Sequence, residues 1–212
     1  MHGAPMVSVA VEGTSDTGMV KTLLEYVGLT LAQPCTVKHG VGKLDEMIPR
    51  VARTGAYNPW VVFRDSDGEC PVALRERLVG DRPHDAGFEL RFACSMTEAW
   101  LLADVVGIAD FFHVARSKVP SNPDELPHAK TALLRLCGSS RSRSLREGMV
   151  RDDGTTGPLY VTLLNEFARE HWDVARACTA SPSLTRTVAR LSDMRELLVQ
   201  VVAEGRTLAE YT

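Results

Sequence analysis

Five carboxylates stand where apolar runs of the chain give out: Glu12 with Asp16, Asp65 with Asp67, and Glu98. Asp and Glu offer hard oxygen donors, the type that Mg2+ prefers. Carboxylates gathered at one place repel one another, and a divalent ion supplies the counter-charge. Such a set can carry out metal-assisted attack on a phosphodiester. Each acid also has a plain structural explanation. Asp65-Ser66-Asp67-Gly68 has the composition of a surface turn. Glu12-Gly13 suits a strand exit, and Asp16 and Glu98 suit the first turn of a helix, where the dipole favours acids. The chemical reading requires that all of them meet at one edge of the fold.

The flanking elements favour that meeting. Met6 to Val11 is an apolar run with strand character, and a helix is expected from about Ser15 to Val27, with Met19, Val20, Leu23, Leu24 and Val27 on one face. Thr36 to Lys38 suits a short strand and Leu44 to Ala52 a helix. Pro59 to Arg64 is the third expected strand, ending in Asp65-Ser66-Asp67-Gly68, and Val72 to Val79 a further helix. Glu89 to Cys94 alternates as a strand and runs through Ser95 into a helix over about Thr97 to Val106. Alternating strands and helices predict a largely parallel, Rossmann-like α/β sheet with helices on both faces. In such sheets ligands collect beyond the carboxyl ends of the strands, where all five acids fall. Asp65 and Asp67, two apart on an extended chain, are expected to point the same way.

Beyond this α/β region (1–115) a helical C-terminal subdomain (116–212) is expected. Ser117 to His128, with Pro120, Pro123 and Pro127, reads as the linker, and helices are expected near 128–137, 157–169, 173–179 and 184–203.

These motifs resemble a family. Glu-Gly-Thr-Ser-Asp (12–16) after a strand, followed by Asp-Ser-Asp (65–67), is similar to the TOPRIM pattern of a Glu followed by an Asp-x-Asp pair. Ser-Met-Thr-Glu (95–98) resembles the Ser-x-x-Glu element of the OLD-type TOPRIM nucleases. Val-Phe-Arg-Asp-Ser-Asp (62–67), Thr-Glu-Ala-Trp-Leu-Leu-Ala-Asp (97–104) and Pro-Ser-Leu (182–184) resemble the TOPRIM-like domain of unknown function 4276. The resemblance implies a nuclease dependent on Mg2+ or Mn2+ that cleaves nucleic-acid phosphodiesters. Glu12, Asp16, Asp65, Asp67 and Glu98 would hold the metal, with Glu12, Asp65 and Asp67 catalytic and Lys130 or Arg141 the assisting cation. It further implies a phage-defence effector working with a separately encoded ATPase, since Gly40-Val41-Gly42-Lys43 lacks the spacing of a P-loop.

Other features narrow the reading. Arg141, Arg143 and Arg146 could grip a phosphate backbone, although the same stretch also suits a solvated loop. The net charge of −3 gives no global basic footprint, so nucleic-acid contact must come from a local patch, the metal or a partner. The five cysteines are scattered without a Cys-x-x-Cys pair, which fits a reducing cytoplasm rather than a disulfide framework or a zinc site. No apolar run approaches the ~18 residues of a membrane span, and Met1 to Pro5 does not start a signal peptide. Trp60, Trp100 and Trp172 are expected in the core, and oligomers are compatible with all of this. Two rivals stand beside the nuclease. Phe63 to Gly68 mimics the nucleophile loop of a haloacid-dehalogenase-type phosphatase, with Asp152-Asp153 as its late acids. A non-catalytic binding subunit of an ATPase complex would need no metal at all.

Overall fold

The computed structural model describes residues 4–80 and 84–211. Met1 to Gly3, part of the stretch read for a targeting signal, lie outside the described residues. Strand β1 (Met6–Val11) is central and leads through α1 (Thr17–Val27) to β2 (Thr30–Leu31) and β3 (Thr36–Val37). Next come α2 (Val41–Val51), β4 (Trp60–Asp65), α3 (Pro71–Val79) and β5 (Phe88–Ala93). The sheet is five-stranded in the order β2-β1-β4-β5, and β3 pairs the other end of the β1 edge that β2 occupies. Every pairing is parallel. The short strand β2 was not expected, so the strand carrying Asp65 is the fourth rather than the third.

Strand residues alternate between two cores. Val7, Val9, Val11, Val61, Phe63 and Ala93 face one side, with α1. Ala10, Trp60, Val62, Phe88, Leu90 and Phe92 face the other, with Leu44, Ile48 and Leu74 of α2 and α3. Coverage on both faces is why β1 and β4 read as nearly unbroken apolar runs. Gly28, at φ 78°, closes α1 in the left-handed cap that glycine adopts at no steric cost.

The C-terminal half is helical: α4 (Thr97–Leu102), α5 (Val105–Phe111), α6 (Ala129–Gly138), α7 (Arg143–Met149), α8 (Tyr160–Glu170), α9 (Val174–Cys178) and α10 (Pro182–Ala203). These helices pack into the same core as α1 and its face of the sheet. Trp100, fully buried, donates to Ser183 Oγ at 2.7 Å and so ties α4 to α10. Trp60 and Trp172 are buried as expected.

Two local expectations need correction. The helix expected over 97–106 is two helices, because Asp104 leaves helical geometry to cap α5, accepting from Gly107 N at 3.0 Å. The stretch weighed as a solvated loop holds α7, capped by Ser142. The proline-rich linker is ordered by short 3-10 turns, and Asp124 there accepts from Ser181 Oγ and Ser183 N at the start of α10. Among the described residues no helix is long and apolar enough to cross a membrane.

Candidate acidic site at the sheet edge

From β1 the chain moves to β2 and β3 on one side and then returns to β4 on the other. The carboxyl ends of β1 and β4 therefore flank a topological switch point, the place where open α/β sheets bind ligands. Glu12 leaves β1 there and Asp65 closes β4. The Glu12 carbonyl accepts from His39 N and Gly40 N, which fixes the exit of β1 against the start of α2.

Asp16 is buried in a short 3-10 turn, Thr14–Asp16, one step before the first turn of α1 where it was expected. Its carboxylate accepts from Gly13 N at 2.9 Å, from Thr97 Oγ1 at 2.9 Å and from Ser15 Oγ at 3.4 Å. Thr97 N in turn donates to Asp65 Oδ1 at 2.9 Å. One threonine at the start of α4 thus spans Asp16 and Asp65, using its hydroxyl for one and its backbone for the other.

Asp67 does not point with Asp65. Strand β4 ends at Asp65, and Asp67 sits at φ 49° in a left-handed turn, so the two-residue alternation of a strand no longer applies. Asp67 pairs instead with Arg64 at 3.0 Å. Arg64 is 4% exposed and also binds Asp45 at 3.2 Å. Ser95 is a second non-glycine residue in left-handed geometry, at φ 63°. Its backbone N–H donates to Ser66 Oγ and its carbonyl accepts from Asp67 N, which locks the loop after β4 to the exit of β5. The Ser95 hydroxyl is buried without a hydrogen-bond partner among the described residues.

Glu98 is buried in the first turn of α4 and accepts from the Tyr160 hydroxyl at 2.6 Å. Lys130 Nζ lies 5.0 Å from the centre of the Tyr160 ring, one side chain removed from Glu98. Arg141, Arg143 and Arg146 belong to α7 and the turn before it. Arg143 pairs with Glu147 at 2.7 Å, and Arg146 donates to the Ser140 carbonyl.

The electrostatics join these acids. Burial pushes the Asp65 carboxyl well above the usual range, and the charges of Asp16, Glu98 and Glu12 push it further, against the Thr97 N–H. Asp16 is raised by burial, with Glu98 adding to it. Glu12 is raised by partial burial and then by Asp67 and Asp16, while Arg64 opposes. The donor chemistry suits a hard divalent cation: clustered carboxylate oxygens, with an unpartnered buried hydroxyl at Ser95. The side chains themselves are turned to protein partners. Among the described residues no three of His, Cys, Asp or Glu converge as a ready ligand set.

Sequence reasoning found the acids but not Thr97, Tyr160, Ser66, Arg64 or Asp45, which hold them. Thr97 had a visible sign, a hydroxyl residue at a helix start directly before Glu98. Tyr160 had none.

No family model matches this sequence, and no curated protein matches it. A solved structure of the C-terminal region of the Burkholderia pseudomallei OLD protein is similar to it at 18% identity, over 93% of this chain and 100% of that one, with a TM-score of 0.38.

Proposed function

We propose that the carboxyl edge of β1 and β4 is a divalent-metal-dependent phosphodiesterase site acting on nucleic acid. The observation that carries it is that one threonine, Thr97, holds Asp16 and Asp65 together at the switch point, directly before Glu98. A protein that spends stability on clustered, partly buried carboxylates has a use for their charge.

The ligands would come from Glu12, Asp16, Asp65, Asp67 and Glu98. Bound Mg2+ or Mn2+ would supply Lewis-acid neutralisation of the phosphoryl oxygens. The remaining work falls to side chains of this chain. Thr97 holds Asp16 and Asp65 in fixed rotamers. Glu12, with its affinity for a proton raised, suits a base that takes one from the attacking water. Arg64 pairs with Asp67, so a bound divalent cation would have to compete with it for that carboxylate. Tyr160 keeps Glu98 turned inward, and Lys130 behind it is the assisting cation we assign. Arg141, Arg143 and Arg146 are assigned an accessory contact to phosphate. The TOPRIM resemblance extends the proposal to a separately encoded ATPase partner and a role in phage defence.

The experiment is a cleavage assay on labelled single- and double-stranded DNA and RNA with Mg2+, Mn2+ or chelator. Cleavage that appears with the ion and vanishes with chelator supports the proposal. Absence of cleavage on every substrate with either ion contradicts it. Phosphate release from small monoesters through a covalent aspartyl intermediate would instead favour the phosphatase reading.

A further inference from the structure

Strand β5 ends the sheet, and a groove of about 700 Å³ runs along its outer edge between α3 and α10. Its walls carry Arg75 from α3, Arg91 from β5, and Arg186 and Arg190 from α10. The acids beside them are Glu89, 3.3 Å from Arg91, and Asp193, 3.4 Å from Arg190. Among the described residues Arg75 meets only the His84 ring, and Arg186 has no acid partner.

Arg91 makes this more than a solvated charged face. Its side chain is only 18% exposed, yet its Nε is buried with no hydrogen-bond partner among the described residues. Burial lowers its pKa, and the charges of Arg75 and Arg190 add to that despite Glu89. Glu89 pairs with one end of the guanidinium, and the Nε donor is left without an acceptor among like charges. Arginine presents its donors as a planar fork that fits phosphate oxygens. Arg186 and Arg190 stand four apart and so project from one face of α10.

The groove also leads to the acidic edge. Phe92 lines it, and the next residue, Ala93, is paired with Asp65. Arg91 is thus two residues, about 7 Å of strand, from the position opposite Asp65.

We propose that this groove binds the sugar–phosphate backbone of a nucleic-acid strand and directs it toward the acidic edge. The direction of delivery rests on the phosphodiesterase reading, whereas the binding does not. The groove's surplus of positive charge and its continuity with the acidic edge favour a phosphate backbone over an acidic peptide.

The test is fluorescence anisotropy with labelled DNA and RNA oligonucleotides in EDTA, where binding is read without cleavage. Arg186 and Arg190 are exposed, so the Arg186→Glu/Arg190→Glu double variant should fold, as checked by its melting curve. It should weaken binding at least tenfold at about 0.1 M salt and reduce the slope of log affinity against log salt by between about 1.4 and 1.8. Asp193→Asn, which removes a groove acid, should tighten binding, a gain that misfolding cannot mimic. Both variants should still cleave bis(p-nitrophenyl) phosphate, too small to need the groove, at the wild-type rate. Unchanged oligonucleotide affinity in the double variant would overturn the proposal, as would a poly-glutamate peptide binding as tightly as the oligonucleotides. Loss of all cleavage with groove binding intact would count against the acidic site alone.

Discussion

Tyr160 donates a 2.6 Å hydrogen bond to Glu98, so a residue of α8, far along the chain, fixes an acid at the edge of the sheet. Both groups are buried. Tyr160→Phe removes the donor while keeping the ring, and should cost about 1.5–3 kcal/mol, the range for hydrogen bonds to charged groups. It should also slow cleavage by freeing Glu98 to leave its rotamer. Urea unfolding without metal checks the first effect. A variant as stable as wild type would mean that Glu98 finds another donor.

Asp65→Asn should stabilise the metal-free protein. The folded pKa of Asp65 is raised, so folding favours its protonated form. That contribution is fully present below the unfolded pKa, about 4, and is lost as pH rises through the folded value. Metal-free wild type should therefore lose stability from about pH 4 toward neutrality. Asp65→Asn should show a shallower loss and a higher Tm at pH 7, by about 2–4 °C for each kcal/mol relieved. Thermal melts in EDTA at several pH values measure it. Parallel pH profiles for the two proteins would show that the carboxyl is not destabilised.

The acids were legible because Glu12 and Asp65 stand at the ends of apolar strands and the others lie within a few residues of a strand end, and strand ends are set by local pattern. Their orientation was not. Asp67 turns away from Asp65 because Arg64, the residue before Asp65, finds Asp45 on α2 and Asp67 together. A contact between a strand and a helix distant in sequence leaves no periodic trace. The C-terminal helices were visible through their apolar faces, except α7. Its seven residues carry three charged side chains and too few apolar ones for a face to show. The break at Asp104 was hidden inside an apolar stretch, since its cause is a side-chain cap reinforced by Arg176 at 2.9 Å.

Arg64→Gln should separate stability from ion affinity. Arg64 is a buried cation shared by two carboxylates, and its removal leaves both uncompensated, at a cost of about 2 kcal/mol. Asp67 is then free of its competitor, so Mn2+ should bind several-fold more tightly. Calorimetric titration reads the affinity and denaturation reads the cost. Weaker Mn2+ binding would show that Arg64 positions Asp67 for the ion rather than withholding it.

Gly18→Ala tests the packing behind the site. A methyl group at Gly18 would lie 2.6 Å from Asn165 Oδ1 and 2.8 Å from the Asn165 carbonyl oxygen, so α1 and α8 would have to separate. The Gly18 N–H that donates to Asn165 Oδ1 at 2.6 Å would be displaced with it. Overpacking of this kind costs about 1–3 kcal/mol. The loss should appear in denaturant midpoint. A neutral substitution would show that the two helices shift without strain.

The central claim is that the carboxylates at the ends of β1 and β4 carry out metal-dependent cleavage, and the rate of Asp65→Asn tests it most directly. Asparagine retains an acceptor for the Thr97 N–H, so the fold and the Thr97 bridge should persist while the anionic donor is lost. On an oligonucleotide that wild type cleaves in Mn2+, the account predicts a rate at least about 100-fold lower, given that perturbing even the outer shell of a metal site costs about 10–100-fold. Cleavage by Asp65→Asn at the wild-type rate would contradict it.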